Sequence, residues 1–172
     1  MSPELKDQKC PICGKDKLTL TEEDYDIPHF GKCFLMTMHC DSCHYHTSDV
    51  ESEENKGPIK ITFEVEKEED MRVRVIKSSE AAVKIPQMHM SMEPGTASTG
   101  FLSNIEGLLN RFKKIIESER DNAEDQSIRK KAKNLLKKLW KVELGEEKLK
   151  IIIEDPSGNS AIVSDRAETK KL

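Results

Sequence analysis

The chain has 172 residues, 35% hydrophobic and 35% charged, with a net charge of -4. That is enough apolar material for one ordinary domain, or for a small metal-held module beside a compact second one. Aromatic residues make up 5% of the chain; so few argue against a broad base-stacking surface, and the acidic balance argues against a protein that coats nucleic acid over its whole surface.

The start, MSPELKDQKC, has no apolar h-region and no small-residue cleavage site, so no secretory signal is expected. No stretch approaches the roughly 20 apolar residues of a membrane helix. The expectation is a cytoplasmic protein, in which thiols stay reduced unless a metal claims them. Five cysteines also cannot complete a disulfide framework.

Cys10-Pro-Ile-Cys13 and Cys40-Asp-Ser-Cys43 are two C-x-x-C knuckles. Each turns the chain back so that two thiolates face one ion. Four thiolates make a closed tetrahedral shell, the pattern of one structural zinc rather than a catalytic one. Gly14 suits the left-handed turn after the first pair. A redox pair would instead show one C-x-x-C within an α/β pattern. Between the knuckles, Leu18–Thr21 and Phe34–Met38 read as strands, with Asp26-Ile27-Pro28 as a turn. Cys33 reads as a strand thiol packed as a small hydrophobe. His39, His44 and His46 crowd the second knuckle, and His44-x-His46 puts two imidazoles on one strand face. With no carboxylate and third histidine at matching spacing (His89 is distant), they read as solvated strand histidines rather than a catalytic metal centre.

Residues Asp49–Lys56 are acidic and polar and end in Gly57-Pro58, the composition of a linker or turn. Ile59, Ile61, Phe63 and Val65 alternate with polar residues as a half-buried strand. Glu68-Glu69-Asp70 then reads as a hairpin tip, with Met71, Val73 and Val75 on the returning strand. Arg72, Arg74 and Lys77 would face water opposite Glu64 and Glu66. Ala81–Ile85 and Met88–Met92 are short extended pieces interrupted by Pro86 and Pro94, with core-facing methionines rather than copper ligands. The loop 93–100 lacks the Gly-Lys-Ser/Thr ending of a phosphate loop.

Ser103 and Glu106 form a capping-box pattern for a helix carrying Ile105, Leu108, Leu109, Phe112, Ile115 and Ile116 on one face. A second helix carries Ile128, Ala132, Leu135, Leu136, Leu139 and Val142, and the two read as an antiparallel hairpin. From Ser127 to Lys141 there are seven lysines or arginines and no acid, with Trp140 at the edge. Such a face is usually a solvated one, and otherwise an anion-binding surface for phosphate backbone or an acidic protein. Lys148–Ile153 returns to strand, Asp155-Pro156-Ser157-Gly158 has turn chemistry, and Ala161–Val163 reads as the return of that hairpin. The tail 166–172 is charged and expected to be disordered.

In order, Cys10-x-x-Cys13, Ile27-Pro28-x-Phe30, Cys40-x-x-Cys43, Ile85-Pro86, Ser103-x-x-Glu106-Gly107-Leu108-Leu109 and Asp155-Pro-Ser-Gly-Asn-Ser160 resemble the ZPR-one-type zinc-finger family in its short, single-module archaeal form. The resemblance covers roughly residues 10 to 163. It implies a mainly β chain with some α: a zinc ribbon over residues 1–50, then a double-stranded β-helix (jelly-roll-like) domain over 51–165. A helical hairpin is inserted at about 103–144. It also implies binding of translation elongation factor 1-alpha, or its archaeal counterpart, and assistance in its folding. No enzymatic activity is expected, since no His-x-His and acid set is placed to hold a catalytic ion and no nucleophile–base pair stands out. The receptor kinase domain bound by some relatives is not expected of a single-module chain. Many members follow the second knuckle with Gly-Trp, where this chain has His44-Tyr45. The alternative is a nucleic-acid-binding ribbon protein of transcription or translation, which the basic helix favours and the acidic total opposes.

Overall fold

Strand is the commonest element of this chain, and its sheets cover one another's apolar faces. The computed structural model describes residues 3–27, 31–53 and 57–172. The first sheet holds β1 (Glu4–Lys9), β2 (Asp16–Ile27), β3 (Gly31–Cys40) and β4 (His46–Ser52), antiparallel and in chain order. The expected turn at Asp26-Ile27 is instead the end of β2, with Ile27 buried. Pro28 and Phe30 lie outside the described residues. The acidic stretch beginning at Asp49 is not a linker as far as Ser52: it completes β4, because Val50 is needed in a core.

Two further sheets follow. One runs β12 (Glu168–Lys171), β5 (Ile59–Val65), β10 (Leu149–Asp155), β7 (Ala82–Ile85), β8 (Met90–Met92); the other runs β11 (Ala161–Ile162), β6 (Arg74–Lys77), β9 (Phe101–Asn104). From β5 onward the chain passes repeatedly between these sheets, the crossing expected of a jelly roll. That crossing overturns two predicted hairpins. Residues Glu68–Arg72 form a 3-10 turn that carries the chain across, and β6 pairs with β9 and β11, not β5. β11 likewise leaves β10 and joins β6. Glu66 therefore meets Lys148 and Arg166 rather than the arginines of β6. Lys77, expected to face water, is only 2% exposed because both faces of β6 are covered.

α1 (Ile105–Asn122) and α2 (Gln126–Glu143) pack together and close the main core with Ile61, Phe63, Val83, Ile151 and Ile153. Leu108, Leu109, Phe112 and Ile116 supply the α1 face, but Ile115 is 52% exposed and Ile128 38% exposed, outside the stripe that the sheet covers. The α1 cap falls one residue beyond the predicted Ser103: Asn104 Oδ1 accepts from Gly107 N at 2.8 Å, while Ser103 lies within β9. The tail is not disordered. β12 adds to the edge of β5, and Arg166 donates to the buried carboxylate of Asp70 while lying over the Phe63 ring. Among the described residues, no helix is long and apolar enough to cross a membrane.

The first sheet is joined to the jelly roll through a seam. Ile27, Cys33 and Val50 pack with Ile76 of β6, flanked by Leu35, Leu102, Ala161 and Val163. Cys33 is thus a buried apolar thiol, as its strand position suggests, and burial pushes its pKa up. Polar bonds frame the seam. Asp49 accepts from Ser79 N at 3.0 Å and Ser79 Oγ at 2.7 Å. Asn159 Oδ1 accepts from Ser52 N at 3.1 Å and Ser52 Oγ at 2.9 Å, and Gly100 N donates to Ser48 O at 2.7 Å.

Candidate metal centre

The two knuckles have the same backbone design. In the first, Cys10 N donates to Lys15 O and Gly14 N to Cys10 O, both at 2.9 Å. In the second, Cys40 N donates to Tyr45 O and His44 N to Cys40 O, again at 2.9 Å. Gly14 and His44 hold the equivalent left-handed positions, with φ of 69° and 58°. Glycine accepts that conformation freely, whereas a histidine there is strained.

β2 and β3 bring the knuckles together, with Leu18 opposite Cys40. The Sγ atoms of Cys10, Cys13, Cys40 and Cys43 all lie within 4.8 Å of one another. Cys10–Cys43 and Cys13–Cys40 are each 3.7 Å apart. A tetrahedron with metal–sulfur bonds of about 2.3 Å has edges of about 3.8 Å, so the sulfurs already stand where a zinc ion requires them. Leu18, Met38 and Tyr45 close around the cluster, and Ile12 N donates to Cys10 Sγ at 3.4 Å. Four cysteines so placed bind one zinc ion.

The proton chemistry explains why a dication belongs there. Burial opposes ionisation of Cys10, but hydrogen bonds from the Cys13 and Ile12 amides and from the Cys40 and Cys43 thiols outweigh it and hold the thiol at about 7. At Cys43 an amide bond from Tyr45 favours the thiolate, yet burial and the three neighbouring sulfurs push it up to about 12. The first negative charge forms readily and the last does not, until an ion neutralises the set.

The remaining predicted candidates are dispersed. His39 and His46 face each other across β3 and β4, not His44 and His46 along one strand, and His44 occupies the turn. Five of the seven basic residues on α2, Arg129, Lys130, Lys131, Lys133 and Lys137, are exposed, and so is Trp140, at 56%. Sequence reasoning missed the seam residues Asp49, Ser79 and Asn159. The Asp155–Ser160 motif was their one available signal, since Asn159 belongs to it. Within that motif Asp155 is fully buried and gathers hydroxyls of Ser78, Ser157 and Ser160 at 2.9, 2.7 and 2.5 Å.

The ZPR1 zinc-finger domain model matches residues 4–56 and the ZPR1 jelly-roll domain model residues 69–171. A ZPR1-like protein of Methanocaldococcus jannaschii is 37% identical over 95% of this chain and 83% of its own length. One of Pyrococcus horikoshii is 35% identical over 98% and 78%. The zinc finger chaperone zpr1 of Schizosaccharomyces pombe is 32% identical over 89% of this chain but only 33% of its own length.

Proposed function

This chain belongs to the ZPR1 family, and from that premise we propose that it is a zinc-dependent protein-binding module, not an enzyme, that holds a client protein during folding. The proposed client is translation elongation factor 1-alpha or its archaeal counterpart. The observation that carries the reading is the finger's surface. Ile12 stands between two ligand cysteines, 67% exposed on a turn that the metal pins. An apolar side chain held out on a rigid turn loses little freedom when a partner covers it, and a fungal relative of this unit is named a chaperone.

The test uses purified elongation factor. Zinc-loaded protein should bind it and raise its yield on refolding from denaturant; Cys40→Ser should lose both effects, and Ile12→Asp should weaken binding while keeping zinc. Equal binding by all three proteins would remove the finger from the interaction. The exposed lysines of α2 favour a second reading, nucleic-acid binding. It predicts an affinity that falls steeply with salt as phosphate counterions are released.

A further inference from the structure

The far side of the second knuckle carries a cluster that the zinc centre does not use. His39 and His46 are directly opposed across β3 and β4. One register step away Cys40 N donates to Tyr45 O, so His39 and His46 occupy a non-hydrogen-bonded position, where facing side chains come closest. Their ring centroids are 6.1 Å apart, with the planes tilted by 58°. Asp41 Oδ1 lies 3.3 Å from His39 Nε2. All three side chains are exposed.

We propose that His39, His46 and Asp41 form a second, exchangeable site for a divalent transition-metal ion of the zinc class. At 6.1 Å the rings stand wider than a tetrahedral bite, within reach of one ion only after they turn. With metal–nitrogen bonds of about 2.0–2.1 Å, and ring nitrogens about 1.1 Å from their centroids, two imidazoles share an ion at centroid separations up to about 6.4 Å. A tetrahedral angle brings that to about 5 Å. Exposed rings reach it by turning about their side-chain bonds, with no movement of backbone. The carboxylate supplies a third donor and part of the compensating charge, and water completes the shell.

Imidazole and carboxylate donors on a protein surface select borderline ions such as zinc, nickel and copper; magnesium and calcium require oxygen shells that are not assembled here. The backbone around the site is already fixed, because the zinc knuckle sets the β3–β4 register at this end. An ion held by one residue from each strand adds a clasp there. Open to water and with fewer protein ligands than the thiolate centre, the site releases its ion more easily.

The test is a zinc titration of protein that already holds one zinc per chain, read by calorimetry and by zinc analysis after dialysis. A second zinc is expected, removable by a mild chelator that leaves the first in place. Its binding should raise Tm. His39→Ala and His46→Ala should each weaken it by more than about tenfold, the loss that even an outer partner of a metal ligand carries, and Asp41→Asn by less. His89→Ala should leave it unchanged. Retention of the first zinc and of the helical circular dichroism shows that each variant is folded. The proposal is overturned if binding stops at one zinc, or if the second zinc is held equally by the His39→Ala/His46→Ala double variant.

Discussion

Replacing Val50 by alanine asks whether the finger and the jelly roll unfold as one body. Val50 has no exposed surface and packs with Ile27, Cys33 and Ile76, so the change takes two methyl groups from the middle of the seam. At about 0.8 kcal/mol per buried carbon the transfer loss is about 1.6 kcal/mol. The cavity left behind brings the total to about 2–3 kcal/mol. An unfolding entropy of about 2.1 cal/mol/K per residue gives about 0.36 kcal/mol/K for the whole chain, so Tm should fall by about 6–8 °C. Cobalt in place of zinc makes the finger visible through its thiolate absorbance. Both α-helices lie on the jelly-roll side, so helical circular dichroism follows that half. In the unsubstituted protein the two signals should disappear in one transition, and in Val50→Ala both should move together. If the cobalt signal shifts while the helical midpoint stays put, the seam does not couple the two halves and the reasoning fails.

Three other expectations rest on separate features. In Gly107→Ala the new Cβ would lie 2.1 Å from Ser103 Oγ and 3.2 Å from the capping oxygen of Asn104. Denaturant unfolding should show a loss of about 1–2 kcal/mol, largely recovered in Gly107→Ala/Ser103→Ala; no recovery would mean that the hydroxyl is not the obstacle. At Asp155 burial opposes the charge, but the hydroxyls of Ser160, Ser157 and Ser78 outweigh it and hold the carboxyl below its ordinary value. Its contribution is therefore present above the unfolded pKa of about 3.9 and lost as pH falls through the folded one. Asp155→Ala should be about 3 kcal/mol less stable at neutral pH and show less acid sensitivity below about pH 4. Finally, below pH 7 zinc must displace at least the protons of Cys10 and Cys43. Apparent affinity should then drop at least about a hundredfold per pH unit in competition with a chromophoric chelator; a slope shallower than tenfold would contradict it.

What could be read from the residues, and what could not, follows from the range of each interaction. The four ligands were legible because a C-x-x-C turn is local chemistry, and two such turns need only one hairpin to meet. Strand positions such as Ile59–Val65 were legible from alternation, and the helices from their stripes. Partners were not: alternation gives the buried face of β6 but not the strand beside it, and short spacing suggested hairpins where the chain crosses between sheets. Lys77 shows the same limit, since a strand covered on both faces breaks the rule that polar residues point to water. The jelly roll itself came from family resemblance, not from periodicity. The cap moved from Ser103 to Asn104 because either residue type can cap, and the last ladder position of β9 decides between them. The tail strand had no apolar signal, because all four residues of β12 are exposed and it is held by backbone pairing.

β9 runs directly into α1, with Asn104 ending the strand and Ile105 beginning the helix. Arg111 lies over the Phe101 ring at 3.9 Å, bracing the junction. Gly100, just before that strand, is bonded to Ser48 of the finger, and β9's neighbour β6 carries the seam residue Ile76. Finger and helix pair therefore issue from the two ends of one short stretch of sheet, like the jaws of a caliper fixed to one frame. Anything gripped by both jaws meets them at a spacing set before contact, so the orientational entropy of bringing two recognition surfaces into register was lost when the chain folded and is not lost again on binding.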